Sequence, residues 1–344
     1  TWTRLSEIAG SASVLVQRGM LEEAIALLQS ALPLDDRYAS VLLANIYLER
    51  NQLEEADHCL QTAIGDFGDQ SPLSLQSRIW LGMSRLAWAR GDRIGALQHI
   101  ETAVGFALQM KSTRFLRQVL AQQARFWIAC DQTMLAARWS EGGRLDLVSP
   151  QDHERQFEML TYVRLLLHQG EINLSFDLLQ QIDDLAERQE RYGDLVEIRM
   201  LRAIALTRTG DQKAALAMFL TALDHGASGG YVRVFAKFTD EIRPLVRRAA
   251  RFAGYGDYAR RLVLTLDADS ASWDTAQDRQ SQMLSSREIE VLRLADAGLS
   301  NNAIAQHLFI SQATVKRHLS TIYKKMVVTS RTSAIASARQ QGIL

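Results

Sequence analysis

Cysteine is scarce: Cys59 and Cys130 are the only two in 344 residues and do not stand in C-x-x-C spacing. A disulfide framework and a thiolate metal site are therefore unsupported, and a reducing cytoplasm is the default compartment. Proline is nearly as rare, and three of the four (Pro33, Pro72, Pro150) fall between apolar-periodic segments rather than within them. No apolar stretch approaches the roughly 18 residues that cross a bilayer, and the N-terminus lacks the order of a secretory signal, so a soluble chain without membrane contact is expected. Signs of catalysis are missing too. The seven histidines (His58, His99, His153, His168, His225, His307, His318) are scattered, and neither H-E-x-x-H nor G-x-S-x-G occurs. An enzyme and a metal site are thus not expected.

What is present is ordinary for a folded protein. With 47% apolar and 23% charged residues the composition excludes pervasive disorder. At 344 residues the chain is too long for one core, which predicts two or three domains. Net charge is zero but unevenly spread: from Leu284 onward eight basic residues face three acidic ones, leaving +5 on that segment and −5 on the remainder. No acidic side chain follows Asp296. Such a segment suits a surface that meets a polyanion.

A recurrent turn organises the first 260 or so residues. Gly19, Asn51, Gly91, Asp131, Gly170 and Gly210 lie 32, 40, 40, 39 and 40 residues apart. Five residues after each stand Ala24, Ala56, Ala96, Ala136, Ser175 and Ala215; nine after, Leu28, Leu60, Ile100, Ser140, Leu179 and Phe219; twelve after, Ala31, Ala63, Ala103, Gly143, Ile182 and Ala222. Those offsets share one helix face, and the small residue lets each second helix sit close to its first. The segments before the turns are helix-periodic as well, and nothing reads as a strand. Stacked pairs of this kind curl into a superhelix with a concave surface. The pattern resembles tetratricopeptide-like repeats with longer helices, since the period exceeds the usual ~34.

The first helices of the third and fourth hairpins carry Trp80, Arg85, Trp88, Arg125, Phe126 and Trp127. Most aromatic side chains in packed helices are inter-repeat core, and that reading comes first. The functional reading is a sensor groove in which Trp80, Arg85, Trp88, Arg125 and Phe126 hold a small-molecule or protein effector.

The repeat pattern fails after Leu266. Residues 267–283 are rich in Asp, Ser and Gln and read as a linker between a repeat domain at 1–266 and a small domain at 284–344. Ser285 and Glu288 form an S-x-x-E capping box before a helix that ends at Gly298. Ser300 caps a second helix, Asn301 to Leu308, with Ile304, Ala305 and Leu308 inward. Ser311 caps a third that runs to about Met326, with Val315, Leu319, Ile322 and Met326 as its buried stripe. Gln312, Ala313, Lys316, Arg317, Ser320, Thr321, Lys324 and Lys325 occupy the rest of that helix. Two helices at a tight turn, the second cationic, are the layout of a helix-turn-helix reader of double-stranded DNA.

The run LSSREIEVLRLADAGLSNNAIAQHLFISQATVKRHLSTIYKKM, followed by SRTSAI, resembles the LuxR-type helix-turn-helix domain of bacterial transcription regulators. Ala303 departs from the family's usual Glu and Val327 from its usual Gly. The upstream hairpins and the segment GYVRVFAKFTDEIRPLV from Gly230 to Val246 resemble the sensor of the MalT-like subgroup, the large ATP-binding LuxR-type regulators. No G-x-x-x-x-G-K-[ST] occurs, so no cofactor is expected in this chain, and its start at Thr1 reads as that of a piece of a longer regulator.

The fold expected is all-α: a tetratricopeptide-like superhelix followed by a four-helix LuxR-type domain. Helix-turn-helix geometry assigns Lys316, Arg317 and Ser320 to base edges and Thr314, His318, Lys324 and Lys325 to phosphates. The resemblance implies a homodimer on the operator through the last helix, Ser330 to Gln341, by way of Ala334, Ile335 and Ala338. The function expected is a cytoplasmic DNA-binding transcription regulator controlled by its repeat sensor. The alternative is a repeat scaffold for protein partners that carries a non-specific basic tail.

Overall fold

The computed structural model describes residues 2–33, 36–65, 72–110, 112–145, 148–149, 152, 155–252, 254–268, 286–308, 312–325 and 330–340, and among them every regular element is a helix. They fall into two compact units, Thr1–Ser270 and Ala271–Leu344. In the first unit helices pair in hairpins: α1 (Trp2–Gln17) with α2 (Leu21–Gln29), α3 (Asp36–Glu49) with α4 (Leu53–Ile64), and α5 (Leu73–Ala89) with α6 (Arg93–Gln109). Then come α7 (Thr113–Ala129) with α8 (Thr133–Gly142), α9 (Gln156–Gln169) with α10 (Ile172–Arg188), and α11 (Tyr192–Thr209) with α12 (Gln212–Gly229).

Each hairpin turns through a left-handed residue. The φ values are +78° at Gly19, +60° at Asn51, +83° at Gly91, +60° at Asp131, +85° at Gly170 and +91° at Gly210. Asn and Asp are among the few side chains that adopt this conformation readily, which is why they replace Gly at two of the six turns. The amide one residue further reaches back to close the helix end, as Met20 N does to Leu15 O and Glu171 N to Leu166 O, both at 2.9 Å. Asp92 and Asp211 then cap α6 and α12 by accepting from Gly95 N and Ala214 N, each at 2.9 Å. The residues five positions after the turns, from Ala24 to Ala215, are all fully buried. Most of those at nine and twelve are buried too, Gly143 being an exception.

A seventh hairpin follows that the period did not reveal. After a 3-10 turn at Phe235–Phe238, α13 (Thr239–Ala249) pairs with α14 (256–268) around Gly254 at φ +97°. Gly254 lies 44 residues after Gly210, off the 40-residue beat, yet Ala259 and Leu266 at the same offsets of five and twelve are buried. Residues 267 and 268 belong to α14, and the rest of the anticipated linker lies outside the described residues.

The array closes on itself. Tyr231 Oη donates to Val16 O at 3.0 Å, and the amides of Val232 and Arg233 donate to Glu49 O at 2.8 and 2.9 Å. Arg233 Nη1 adds a bond to Asn51 Oδ1 at 3.3 Å. Ala12, Leu21, Leu43 and Ile46 share one apolar core with Ile198, Tyr231, Phe235 and Leu262. The segment from Gly230, expected to end the sensor, thus stitches the sixth hairpin to the first two, and the concave surface becomes the inside of a ring.

In the second unit α15 (Ser286–Asp296), α16 (Asn301–His307), α17 (Gln312–Lys325) and α18 (Arg331–Gln340) surround a core of Val291, Leu292, Ala295, Ile304, Ala305, Leu308, Val315, Leu319 and Ile322, with Ala334 and Ala338 from α18. Ser300 Oγ accepts from Ala303 N at 3.2 Å, so the cap forms without the Glu side chain that Ala303 replaces. The Ser285 and Ser311 caps, Met326 and Val327 lie outside the described residues. Among the described residues no helix is long and apolar enough to cross a membrane.

Candidate nucleic-acid interface and effector cavity

On α17 burial alternates with exposure at helical spacing. Val315, Leu319 and Ile322 are buried, while Gln312, Lys316 and Ser320, four residues apart, are exposed in one row. Thr314 and His318 are half-buried beside that row. Arg317, Lys324 and Lys325 lie on the described backbone of α17, but their side chains lie outside the described residues. Behind α17, Arg331 does work that sequence reasoning missed. Its Nη2 donates to Ala295 O at 2.8 Å and Leu299 O at 2.6 Å, and Nη1 reaches Asn301 Oδ1 at 3.5 Å. One side chain thereby ties α18 to the end of α15 and the start of α16. Losing these charged donors should cost about 3 kcal/mol. Arg331→Ala is accordingly expected to strip hydrogen-exchange protection from 286–308 in the full chain while the hairpins of the first unit keep theirs.

The residues expected at a dimer face divide between core and surface. Ala334 and Ala338 are both fully buried in the domain's own core, and Ile335 packs half-buried against it. Small residues four apart let α18 approach α15 and α17, and that use consumes them. Neither alanine can meet a second copy without opening the core.

Inside the ring the first helices of successive hairpins line a cavity of about 490 Å³. A second cavity, of about 290 Å³, is lined by Trp88, Phe126, Arg164, Arg208, Arg233 and Glu241 among others. Arg85, Gln122 and Arg125 line both and so stand between them. Arg85 donates to Asn45 Oδ1 at 2.7 Å and pairs with Glu49. Arg125 is buried: Nε donates to Thr161 Oγ1 at 2.8 Å, Nη2 lies 3.0 Å from Glu197 Oε1, and the guanidinium lies 3.9 Å from the centre of the Phe157 ring. Burial pushes its pKa down to about 10, which still leaves it charged at neutral pH. Arg164 Nη2 joins the same carboxylate at 2.7 Å. Across the two linings, Arg78, Arg85, Arg125, Arg164, Arg191, Arg208 and Arg233 face Glu49, Asp194, Glu197 and Glu241.

The aromatics divide. Trp80 packs among α5, α6 and α7, its ring 5.1 Å from that of His99, and lines neither cavity. It is partly buried and packs against the inter-repeat core. Trp88 and Phe126 stack at 4.4 Å and serve both purposes, as core and as wall of the smaller cavity. Among the described residues no group of three or more His, Cys, Asp or Glu is arranged to hold a metal ion.

Residues 3–251 match the model of the MalT-like TPR region. The chain belongs to the MalT-like TPR family. Residues 282–338 match the model of bacterial regulatory proteins of the luxR family, so α15 to α18 are a LuxR-type helix-turn-helix domain behind MalT-like repeats. The HTH-type transcriptional regulator MalT of Vibrio campbellii is 23% identical over 317 residues, covering 84% of this chain and 34% of its own length. The chain therefore spans about a third of that relative. The CsgBAC operon transcriptional regulatory protein of Escherichia coli is 48% identical over 59 residues, 17% of this chain and 27% of its own. Among solved structures, a Rap protein complexed with Competence and Sporulation Factor shares the fold at a TM-score of 0.51 and 14% identity, covering 99% of this chain and 98% of its own.

Proposed function

We propose that the chain is a cytoplasmic DNA-binding transcription regulator in which the MalT-like ring houses an effector and the LuxR-type domain reads an operator. The exposed row Gln312, Lys316, Ser320, backed by the buried Val315, Leu319 and Ile322, is the observation that carries this reading. A helix held by one face and free along the other enters the major groove, with Lys316, Arg317 and Ser320 toward base edges. Thr314, His318, Lys324 and Lys325 flank them toward phosphates, where they set register and read no sequence. Two copies engage related half-sites about one helical turn apart. On α18 the dimer contact falls to the exposed Thr332, Ser333 and Arg339, since Ala334 and Ala338 are spent inside.

For the ring, the support is the cavity with its convergent arginines, amides and apolar walls, which is how small-ligand sites are built. The Rap protein of similar fold was captured with Competence and Sporulation Factor bound. Both halves are tested in one titration. In a gel shift on a duplex selected from random sequence, log affinity should fall steeply and linearly with log salt, by about 0.9 per phosphate contact. Absence of a shift at low salt would overturn the regulator and favour the scaffold. If the ring controls the reader, the full chain and the piece Leu284–Leu344 should differ in operator affinity.

A further inference from the structure

The repeat unit keeps positive charge on its inside. Residues 1–283 carry a net charge of −5, yet the linings of the two cavities hold seven guanidiniums against four carboxylates. All four carboxylates are paired: Glu49 takes Arg85, Glu197 takes both Arg125 and Arg164, Asp194 takes Arg191, and Glu241 takes Arg208. Two donor groups of the larger cavity are left over. Arg78 lies 4.7 Å from the centre of the Phe115 ring, and no hydrogen bond or ion pair engages its guanidinium among the described residues. Arg191 is only 6% exposed. Its Nε donates to Gln189 Oε1 at 2.8 Å and its Nη1 to Asp194 Oδ2 at 2.6 Å and to Gln156 Oε1, whereas the buried Nη2 has no hydrogen-bond partner among the described residues. A buried guanidinium donor without an acceptor is costly, and such groups persist where a bound ligand's oxygen completes them.

Resting on the reading of the ring as an effector site, we propose that the larger cavity takes a small organic anion. Its carboxylate or phosphate oxygens accept from Arg78 and from Nη2 of Arg191, and its apolar body lies against Phe115, Phe157 and Leu160. A volume of about 490 Å³ admits a metabolite-sized molecule and excludes a folded partner. A neutral ligand would leave both donor groups unsatisfied and the interior charge unbalanced.

The test is a thermal-shift titration of the full chain with citrate, glucose 6-phosphate, a diacidic tripeptide, and the neutral controls raffinose and a neutral tripeptide, each to about 10 mM. At least one anionic probe should raise the unfolding midpoint saturably, citrate and the acidic tripeptide reporting a carboxylate site and the sugar phosphate a phosphate site. Arg78→Gln breaks no ion pair and should fold as the unaltered chain does, while weakening the probe about tenfold, the effect of one charge-assisted hydrogen bond. Arg191→Lys, which keeps the charge near Asp194, should weaken it as well. If only the neutral probes shift the midpoint, the effector cavity survives and the anion class falls. An anion shift unchanged in both variants overturns the site, and no response to any probe overturns the anion class together with the cavity's role.

Discussion

Lys316→Ala should bind a selected operator duplex about 5- to 150-fold more weakly than the unaltered chain, the equivalent of about 1–3 kcal/mol for a lost base contact. Lys316 is exposed in the N-terminal half of α17, in one row with Ser320, while the side chains one position before and three after it are buried. It therefore points where the floor of the groove would lie and makes no contribution to the core. The loss should be specific: affinity for random duplex should change little, and the base preference opposite Lys316 should relax. Lys324→Ala is the contrasting case, expected to weaken all sequences alike and to reduce the salt slope by about one unit. Gel-shift titrations on selected and scrambled duplexes at several salt concentrations separate the two. A uniform loss for Lys316→Ala would move that residue to the phosphates.

How far the sequence carried follows from how far apart the interacting residues stand along the chain. The hairpins were legible because each turn and its three packing positions lie within about a dozen residues, and Gly, Asn and Asp mark the left-handed corner directly. The seventh hairpin was hidden only because Gly254 is off the beat; its Ala259 and Leu266 follow the same offsets. Ring closure was out of reach. Tyr231 bonds to Val16 across 215 residues and Arg233 to Asn51 across 182, and no local pattern announces such pairs. The same limit governed the cavity. Arg85 and Arg125 stood out beside aromatics, but the carboxylates that hold them, Glu49 and Glu197, lie 36 and 72 residues away. On α18 the ambiguity was of another kind, because a helix face of alanines suits close packing inside a domain as well as between two copies. Burial alone tells these apart.

Gly193→Ala should lower the unfolding midpoint by roughly 6–12 °C, the consequence of about 3 kcal/mol of overpacking in a unit of this size. Gly193 lies at the start of α11, where the ring closes. A Cβ there would sit 2.3 Å from Val16 O and 2.5 Å from Tyr231 Oη, the acceptor and donor that bond to each other at 3.0 Å. No rotamer relieves such a clash, because one of the atoms is backbone. The methyl must push α1 and the Tyr231 segment away from α11, exposing apolar surface shared by Ala12, Ile198 and Phe235. Gly105→Ala is the matched control: it lies inside α6 with nothing within 4 Å of the added carbon, so the gain in helix propensity should leave stability equal or up to about 1 kcal/mol higher. Calorimetry of the two variants reads the difference directly. Because Gly193 also lines the larger cavity, two residues from Arg191, the variant that loosens the ring should lose whatever ligand the unaltered chain retains. A midpoint for Gly193→Ala equal to that of Gly105→Ala would mean that the first hairpin is not clamped to the sixth by this contact, and that the array is open as a solenoid would be.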